Sequence, residues 1–341
     1  MSPFRHPTPS TDEDAMSTEP LAHADEIAWF GETFTTVVGA VGQALVGKER
    51  VVQLAVTCLA AGGHLLVEDV PGTGKTSLAR ALAGAVHGTH QRIQFTPDLL
   101  PSDVTGASIY DPRAQVFEFR RGPVFANVVL ADEINRASPK TQSALLEVME
   151  EGRVTVDGTT HDVPSPFMVI ATQNPIEQAG TYPLPEAQLD RFLMKTAIGY
   201  PDAEATIGVL SGLAVRDRAA GVTAVLDGSQ VERMRKVARS VHVSRPLLEF
   251  VQAVAERSRD HRHLRLGLSV RGMLGYVHAA KAWAAGQGRN YVVPDDLKEL
   301  AVPVMQHRLL LDADAQFEGV AVPDVVDELF DVVPLPPAAG R

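Results

Sequence analysis

The sequence predicts an α/β domain with a doubly wound, mainly parallel five-stranded sheet, followed by a small all-α domain. Five short apolar runs, mostly separated by helical stretches, have the pattern of buried parallel strands, at residues 64–68, 92–96, 128–131, 167–171 and 192–198. Strands alternating with helices are typical of a doubly wound fold. Beyond Tyr200 and Pro201 only helical patterns follow, so we place the join between the domains near Pro201.

Helical periodicity surrounds this sheet and fills the second domain. It covers residues 29–61, with a break at Val46-Gly47-Lys48, and then residues 203–218, 229–240, 246–259, 270–285 and 294–311. Pro246 and Pro294 stand where a first-turn proline belongs. Two β-hairpins are predicted as insertions in the α/β domain, at residues 107–119 and 154–163. The second would turn at Asp157-Gly158, a dipeptide suited to a tight hairpin.

These patterns divide the chain into four parts. Residues 1–26 are rich in Pro, Ser, Thr, Asp and Glu, and they cannot bury enough apolar surface to offset the entropy of ordering. We interpret them as a disordered acidic tail. The α/β domain then occupies residues 27–201, the helical domain residues 202–312, and a C-terminal tail residues 313–341.

Composition and charge limit the classes of function. The chain has 341 residues, 45% of them hydrophobic and 21% charged, as expected for a soluble protein of about two domains. A formal net charge of −11 argues against a general electrostatic grip on nucleic acid or anionic lipid. The sequence shows neither the apolar run of about 18 residues that spans a membrane nor the pattern of a signal peptide.

The single cysteine, Cys58, stands in an apolar run. We interpret it as a small core residue rather than a reactive thiol, because nothing near it in the sequence would stabilise a thiolate. One cysteine cannot form an intramolecular disulfide, so a reducing cytoplasm is the expected location.

A phosphate-binding loop is predicted after the first strand, where Glu68 leads through residues 69–76 into a helix. Glycines in this loop let backbone N–H groups form a nest for phosphate oxygens, and the helix start adds donors and a positive dipole end. Lys75 would reach the β and γ phosphates of ATP, and the Thr76 hydroxyl would ligate Mg²⁺. Asp69 stands where the strict motif has glycine, and a turn without nucleotide is the alternative. The assigned nucleotide-binding residues are Pro71, Gly72, Thr73, Gly74, Lys75, Thr76 and Ser77.

Two further strand ends carry polar side chains. The third strand runs into Asp132 and Glu133, which would face the same crevice as the phosphate loop. Asp132 suits the Mg²⁺ shell, and Glu133 suits a base that deprotonates the attacking water. The next strand leads to Asn174, which could hold that water, although an Asn before Pro175 could equally cap a turn. An apolar strand ending in two carboxylates can also be merely a solvated strand end.

Together these strand ends resemble the AAA+ ATPases, and within them the MoxR family. The resemblance is carried by the runs DEINRA (132–137), PKTQSALLE (139–147), ATQNP (171–175) and GTYPLPEAQLDRF (180–192). It covers about residues 33 to 311, leaves out both tails, and implies a P-loop NTPase core followed by a lid domain. The Asp69 form of the phosphate loop also resembles this family.

The resemblance implies roles for further residues. Arg191 would be an arginine finger that reaches the γ phosphate of the next subunit, with a surface ion pair to Asp190 or Glu186 as the alternative. Arg136 is a second candidate for a contact across that interface. Arg271, early in a lid helix, would be a sensor of the γ phosphate, although Val270 stands where the family often has proline. The turn at Val46 and Gly47 would line the adenine pocket.

The predicted hairpins resemble inserts that face the pore or one face of the ring in this branch of AAA+ proteins. The first contains Tyr110, Phe117 and Phe119, and the second contains His161 between acidic residues. These aromatic side chains could grip a polypeptide, or they could pack a hairpin against its own domain.

The resemblance implies an ATP-driven machine that remodels or matures partner proteins, in a ring expected to contain six identical subunits. Family members are associated with inserting metal cofactors and with partners that carry a von Willebrand factor A domain. A nucleic-acid motor is the first alternative, disfavoured because residues 154–163 contain no Lys or Arg. A nucleotide-gated switch with little turnover is the second, disfavoured because Glu133 and Arg191 are both present.

Overall fold

A parallel β-sheet organises the first domain of the computed structural model, which describes residues 23–70, 72–175, 181–200, 203, 206–207 and 218–336. The strands in chain order are β1 (Leu65–Glu68), β2 (His90–Gln94), β3 (Gly106–Asp111), β4 (Val116–Arg121), β5 (Val128–Asp132), β6 (Arg153–Val156), β7 (Thr159–Asp162), β8 (Met168–Gln173), β9 (Met194–Thr196), β10 (Leu264–Leu266) and β11 (Leu310–Leu311). Five of them form the sheet in the order β2-β5-β8-β1-β9, with every neighbouring pair parallel. The five predicted strands and the parallel sheet are therefore confirmed.

Parallel pairing gives the sheet two chemically different ends. All five strands finish at what we call the carboxyl end, at Glu68, Gln94, Asp132, Gln173 and Thr196. They start at the amino end, at Leu65, His90, Val128, Met168 and Met194. Side chains that follow a strand therefore lie at the opposite end from those that precede one.

Alternate residues of the central strands enter two separate hydrophobic clusters, one on each face of the sheet. Leu65 and Val67 belong to one cluster, and Leu66 between them belongs to the other. Burial on both faces explains why these strands read as continuous apolar runs. Cys58 lies in the first cluster as expected, and burial raises the pKa of its thiol.

Helices cover both faces and build the second domain. They are α1 (Ala24–Gly42), α2 (Glu49–Ala61), α3 (Lys75–Ala85), α4 (Pro101–Thr105), α5 (Pro139–Glu151), α6 (Glu186–Leu189), α7 (Gly228–Arg239), α8 (Arg245–Arg259), α9 (Val270–Gly286), α10 (Pro294–Met305), α11 (Ala313–Phe317) and α12 (Val322–Val332). Short 3-10 turns occupy Ile134–Arg136 and Arg218–Gly221. Within the described ranges, no helix has the combination of length and apolarity that crossing a bilayer requires.

Both predicted hairpins are present, as β3–β4 and β6–β7. Asp157 and Gly158 adopt φ values of +49° and +77°, as a two-residue turn with both central residues left-handed requires. The hairpins meet where the ring of Phe119 stacks on His161, with centroids 4.2 Å apart. Phe119 therefore packs within the chain, whereas Phe117 is 74% exposed and contacts the half-exposed Tyr110.

The second domain differs from the sequence prediction at its C-terminal end. The helix predicted over residues 294–311 ends at Met305, where Pro303 in the last turn removes a backbone donor, and β11 follows. Residues 313–341 were assigned to a tail, but they contain α11 and α12. Val325, Val326 and Leu329 of α12 are buried in the large hydrophobic cluster. The helical spacing of these apolar residues would have predicted α12, but it was overlooked because acidic residues lie between them.

Other predictions fall partly or wholly outside the described residues. Residues 1–22, assigned to the acidic tail, are among these, and α1 begins at Ala24, just before the predicted boundary at residue 26. The helix predicted over residues 203–218 is described only at a few positions.

Candidate nucleotide site

The phosphate loop lies at the carboxyl end of the sheet, between β1 and α3. Gly72 and Gly74 have φ values of +87° and +101°, and a Cβ at either would meet nothing within 4 Å. Glycine is therefore required by backbone conformation rather than by space. The ammonium of Lys75 donates to the carbonyl oxygens of Asp69 and Val70, at 3.0 and 3.1 Å, so it lies over the loop.

The other residues of this segment predicted to bind nucleotide lie in the phosphate loop itself or in the first turn of α3. Thr73 is buried and its hydroxyl donates to the Val70 carbonyl. Thr76 is exposed in the first turn of α3, with Ser77 half-buried beside it. Pro71 lies outside the described residues.

Asp69, which replaces a motif glycine, ties the loop to the strand beside it. Its buried carboxylate accepts hydrogen bonds from the backbone N–H groups of Val70, Ile198 and Gly199, at 2.8, 2.9 and 2.8 Å. Glycine could not make these bonds, so the departure from the strict motif has a structural purpose. The bonds join the phosphate loop to the chain that leaves β9.

The turn at Val46 and Gly47 lies close to the same chain. Lys48 donates from its ammonium to the Tyr200 carbonyl at 2.7 Å, and Gly47 has a φ of +74°. The Val46 side chain is about half exposed. The turn predicted to line an adenine pocket therefore lies at the carboxyl end of the sheet, on the side of β9.

Asp132 is buried at the end of β5, and both of its oxygens have partners. The Thr172 hydroxyl donates to one at 2.6 Å, and the Arg92 guanidinium donates to the other at 2.5 and 3.2 Å. Neither Arg92 nor Thr172 was a predicted site residue. Thr172 lies inside the ATQNP run (171–175), whereas nothing in the sequence around Arg92 indicated a role beyond its place in a predicted strand.

Glu133 adopts a left-handed backbone conformation, with a φ of +58°. Its N–H donates to the hydroxyl of Thr172 at 2.9 Å, so one buried threonine holds both acidic residues. Its carboxylate accepts from the Gln94 amide at 3.0 Å and from the Arg136 guanidinium at 2.9 Å. Non-glycine residues in this conformation cost of order 1–3 kcal/mol and cluster at functional sites. Arg136, proposed for an interface contact, pairs here within its own chain.

Asn174 follows the last residue of β8, which lies between β5 and β1 in the sheet. It therefore stands at the carboxyl end between the strand of Asp132 and the strand of the phosphate loop. That place fits a water-orienting amide in the predicted role.

The two predicted phosphate-sensing arginines lie at the amino end instead. Arg191 and Arg271 both pair with Glu150, at 2.9 and 3.0 Å, so one carboxylate joins them. The ion-pair partners foreseen for Arg191 are engaged elsewhere: Asp190 pairs with Arg308, and Glu186 with Arg265.

The length of the sheet separates these arginines from the phosphate loop of their own chain. The N–H of Leu193, two residues after Arg191, donates to the carbonyl of His64, just before β1 starts. The phosphate loop begins after β1 ends, about 13 Å away at 3.3 Å per residue. Arg271, assigned to nucleotide contact from the sequence, is therefore remote from the phosphate loop of its own chain.

Comparisons with known proteins agree with this fold. Residues 64–194 match the family described as "ATPase family associated with various cellular activities (AAA)", and residues 256–329 match the AAA lid domain. A crystal structure of a candidate ATPase from Cytophaga hutchinsonii, 36% identical in sequence, superposes with a TM-score of 0.85 and covers 92% of this chain and 97% of its own. Fold and site thus define the class of AAA+ ATPases.

Similar sequences narrow the class to one family. Chaperone MoxR1 of Mycobacterium tuberculosis is 39% identical over 93% of this chain and 86% of its own length. Protein MoxR of Paracoccus denitrificans is 31% identical, over 89% and 97%. The uncharacterized protein YeaC of Bacillus subtilis is 46% identical, over 87% and 92%. The chain belongs to the MoxR family of AAA+ ATPases.

Proposed function

We propose that this chain hydrolyses Mg-ATP at interfaces between identical subunits arranged head to tail in a ring. The observation that carries the proposal is the separation of two complementary half-sites. The phosphate loop, Asp132 and Glu133 lie at the carboxyl end of the sheet, whereas Arg191 and Arg271 lie at the amino end. A subunit cannot bring both halves together, but head-to-tail contact with a second copy can.

The residues at the carboxyl end fit Mg²⁺ and a triphosphate. Magnesium in nucleotide sites takes one or two carboxylates together with phosphate oxygens, and Asp132 and the Thr76 hydroxyl offer suitable oxygens. The ion would neutralise charge on the β and γ phosphates. Lys75 would exchange its two loop carbonyls for phosphate oxygens, and the Arg92 guanidinium would leave or share Asp132. Val46 and Gly47 would lie against the adenine.

The reaction itself requires a base and a positioned water. Glu133 would take the proton of the attacking water, with Gln94 and Arg136 fixing the direction of its carboxylate. Asn174 would orient that water against the γ phosphate. Arg191 and Arg271 of the neighbouring subunit would stabilise the charge that develops on the transferred phosphoryl group.

The work that hydrolysis drives is remodelling of a client protein. This class of function is supported by the relative named Chaperone MoxR1. The exposed aromatic rings of Tyr110 and Phe117, on the β3–β4 hairpin, could contact such a client. A hexameric ring in the cytoplasm and a client with a von Willebrand factor A domain remain part of the proposal.

The test compares the wild type with Glu133→Gln, measuring ATP hydrolysis, ATP affinity and mass by light scattering, each with and without Mg-ATP. Removing the base should lower turnover by about 10²–10⁴-fold while binding and assembly persist. The matched control is Glu147→Gln, an exposed carboxylate on α5, which should retain turnover. If neither the wild type nor Glu133→Gln binds ATP, the nucleotide site is refuted, and binding without assembly would refute the ring.

A further inference from the structure

Three consecutive polar side chains of the second domain hold the chain that carries Arg191. They follow α10 and reach backbone carbonyls on both sides of the start of β9. Gln306 donates to Lys195 at 2.6 Å, and His307 donates from Nε2 to Phe192 at 2.9 Å. Arg308 donates to Phe192 and Leu193 at 2.6 and 3.1 Å.

Arg308 is the most buried of the ionised groups in this region, with 3% of its side chain exposed. Its Nε donates to one carboxylate oxygen of Asp190 at 2.7 Å, and it also donates to the Val304 carbonyl. Ser269 donates its hydroxyl to the other Asp190 oxygen at 2.7 Å. The second domain therefore holds the residue before Arg191 by both oxygens of its carboxylate. A buried charge is costly unless such partners surround it.

The helix that carries Arg271 is shaped to accept the same guanidinium. A Cβ at Gly272 would lie 2.9 Å from Cδ of Arg308, and a Cβ at Gly275 would lie 3.5 Å from its Nη2. Arg308 thus fills a space on α9 that a side chain at Gly272 would close. One side chain contacts both the segment of Arg191 and the helix of Arg271, whose guanidinium groups meet on Glu150.

We propose that Arg308 is a positioning residue that fixes Arg191 and Arg271 relative to each other, so that both reach the neighbouring subunit's phosphate together. The proposal rests on the ring argued above. The guanidinium of arginine suits this role because it is planar, always charged and able to bind a carboxylate and several carbonyls in one fixed geometry. Displacement of a catalytic group by about 1 Å can cost about 100-fold in rate.

The first test is Arg308→Met in the full-length chain. Turnover should fall by about 100-fold, while ATP affinity stays near that of the wild type because the phosphate loop lies at the other end of the sheet. Arg308→Lys should restore only part of the loss, since an ammonium cannot reproduce the guanidinium geometry. The matched control is Arg235→Met, a second lid arginine that donates to backbone carbonyls of the first domain, at Leu59 and Phe167. It should keep turnover.

Mixed assemblies separate positioning from a general loss of structure. Arg308→Met has an intact Glu133, and Glu133→Gln has intact arginines, so each supplies the half-site that the other lacks. A one-to-one mixture should recover about a quarter of wild-type turnover, because each half comes from the competent subunit about half of the time. A mixture of Arg308→Met with Arg191→Ala should stay inactive.

Two outcomes would overturn the proposal in distinguishable ways. If Arg191→Ala recovers turnover with Glu133→Gln but Arg308→Met does not, the ring stands and Arg308 serves only its own subunit's structure. If Arg191→Ala is not rescued either, the shared site itself fails, and the proposal fails with it. Should Arg308→Met not fold, by circular dichroism and thermal melting, Asp190→Asn replaces it and must show the same rescue.

Discussion

The two ends of the sheet are built in different ways, although the proposed reaction requires both. At the carboxyl end, the phosphate loop follows β1, Asp132 ends β5 and Asn174 follows β8, so the strand ends themselves position these residues. At the amino end, Arg191 and Arg271 come from different domains and are brought together by Glu150 and Arg308. The first end depends on local backbone geometry and the second on tertiary packing. Substitutions at the two ends should therefore differ in how they change turnover and ATP affinity.

The largest expected effect is at the amino end, for Arg191→Ala. Loss of an arginine finger lowers turnover by about 10³–10⁵-fold, whereas ATP affinity should remain because Arg191 does not contact its own phosphate loop. Phosphate release and binding of a fluorescent ATP analogue would be measured on the same sample. Arg153→Ala, an exposed arginine paired with Glu151, is the control. An equal loss of affinity and turnover would show that Arg191 acts on its own subunit.

The next effect is at the carboxyl end, for Lys75→Met. Removing the cation proposed to contact the phosphates should weaken ATP binding by roughly 30- to 3,000-fold, equivalent to about 2–5 kcal/mol. Calorimetric titration with Mg-ATP measures it, with Lys140→Met at an exposed position as the control. Unchanged ATP affinity in Lys75→Met would mean that the nucleotide binds elsewhere, and the two ends of the sheet would then not differ as proposed.

The smallest effect concerns stability, through His64 at the amino end. Its ring is buried, with Nε2 3.0 Å from the Met149 carbonyl and Nδ1 accepting from the N–H of Val169. Burial lowers the pKa of His64 to about 4, below the value of about 6.5 in an unfolded chain. The unfolded state therefore binds more protons between these values, so stability is complete above pH 6.5 and falls toward pH 4, by at most about 3 kcal/mol.

His64→Gln should flatten this dependence, because an amide keeps a donor and an acceptor but does not titrate. Urea unfolding at several pH values measures the slope of the unfolding free energy. Some slope should remain, since burial also lowers the pKa of His307. A variant with the full wild-type slope would show that His64 is not the group that titrates.

The contrast between the ends also explains what the sequence could predict. The sheet, the hairpins and the residues of the carboxyl end follow from short contiguous patterns, because a strand end fixes where the next residues lie. The roles of Asp69 and Arg92 could not be assigned, since they depend on partners distant in the sequence: Ile198 and Gly199 for Asp69, and Asp132 for Arg92. Glu150 had no signal at all, because only tertiary packing brings Arg191 of the first domain and Arg271 of the second domain to it. Arg271 was assigned from the resemblance of its helix to one of the AAA+ lid, which does not say which end of its own chain's sheet that helix covers.

The large hydrophobic cluster has a mechanical consequence. It runs without interruption from α1 and α2 through one face of the sheet into the second domain. The packing is close at Gly286 of α9, where an added Cβ would lie only 3.1 Å from the ring of Phe34. A close-packed interior of this kind resists sliding. We therefore expect the core and the second domain to rotate as one rigid body during turnover. In the proposed ring, the flexible contacts would then be those between subunits, so each cycle of hydrolysis would change the shape of the whole ring.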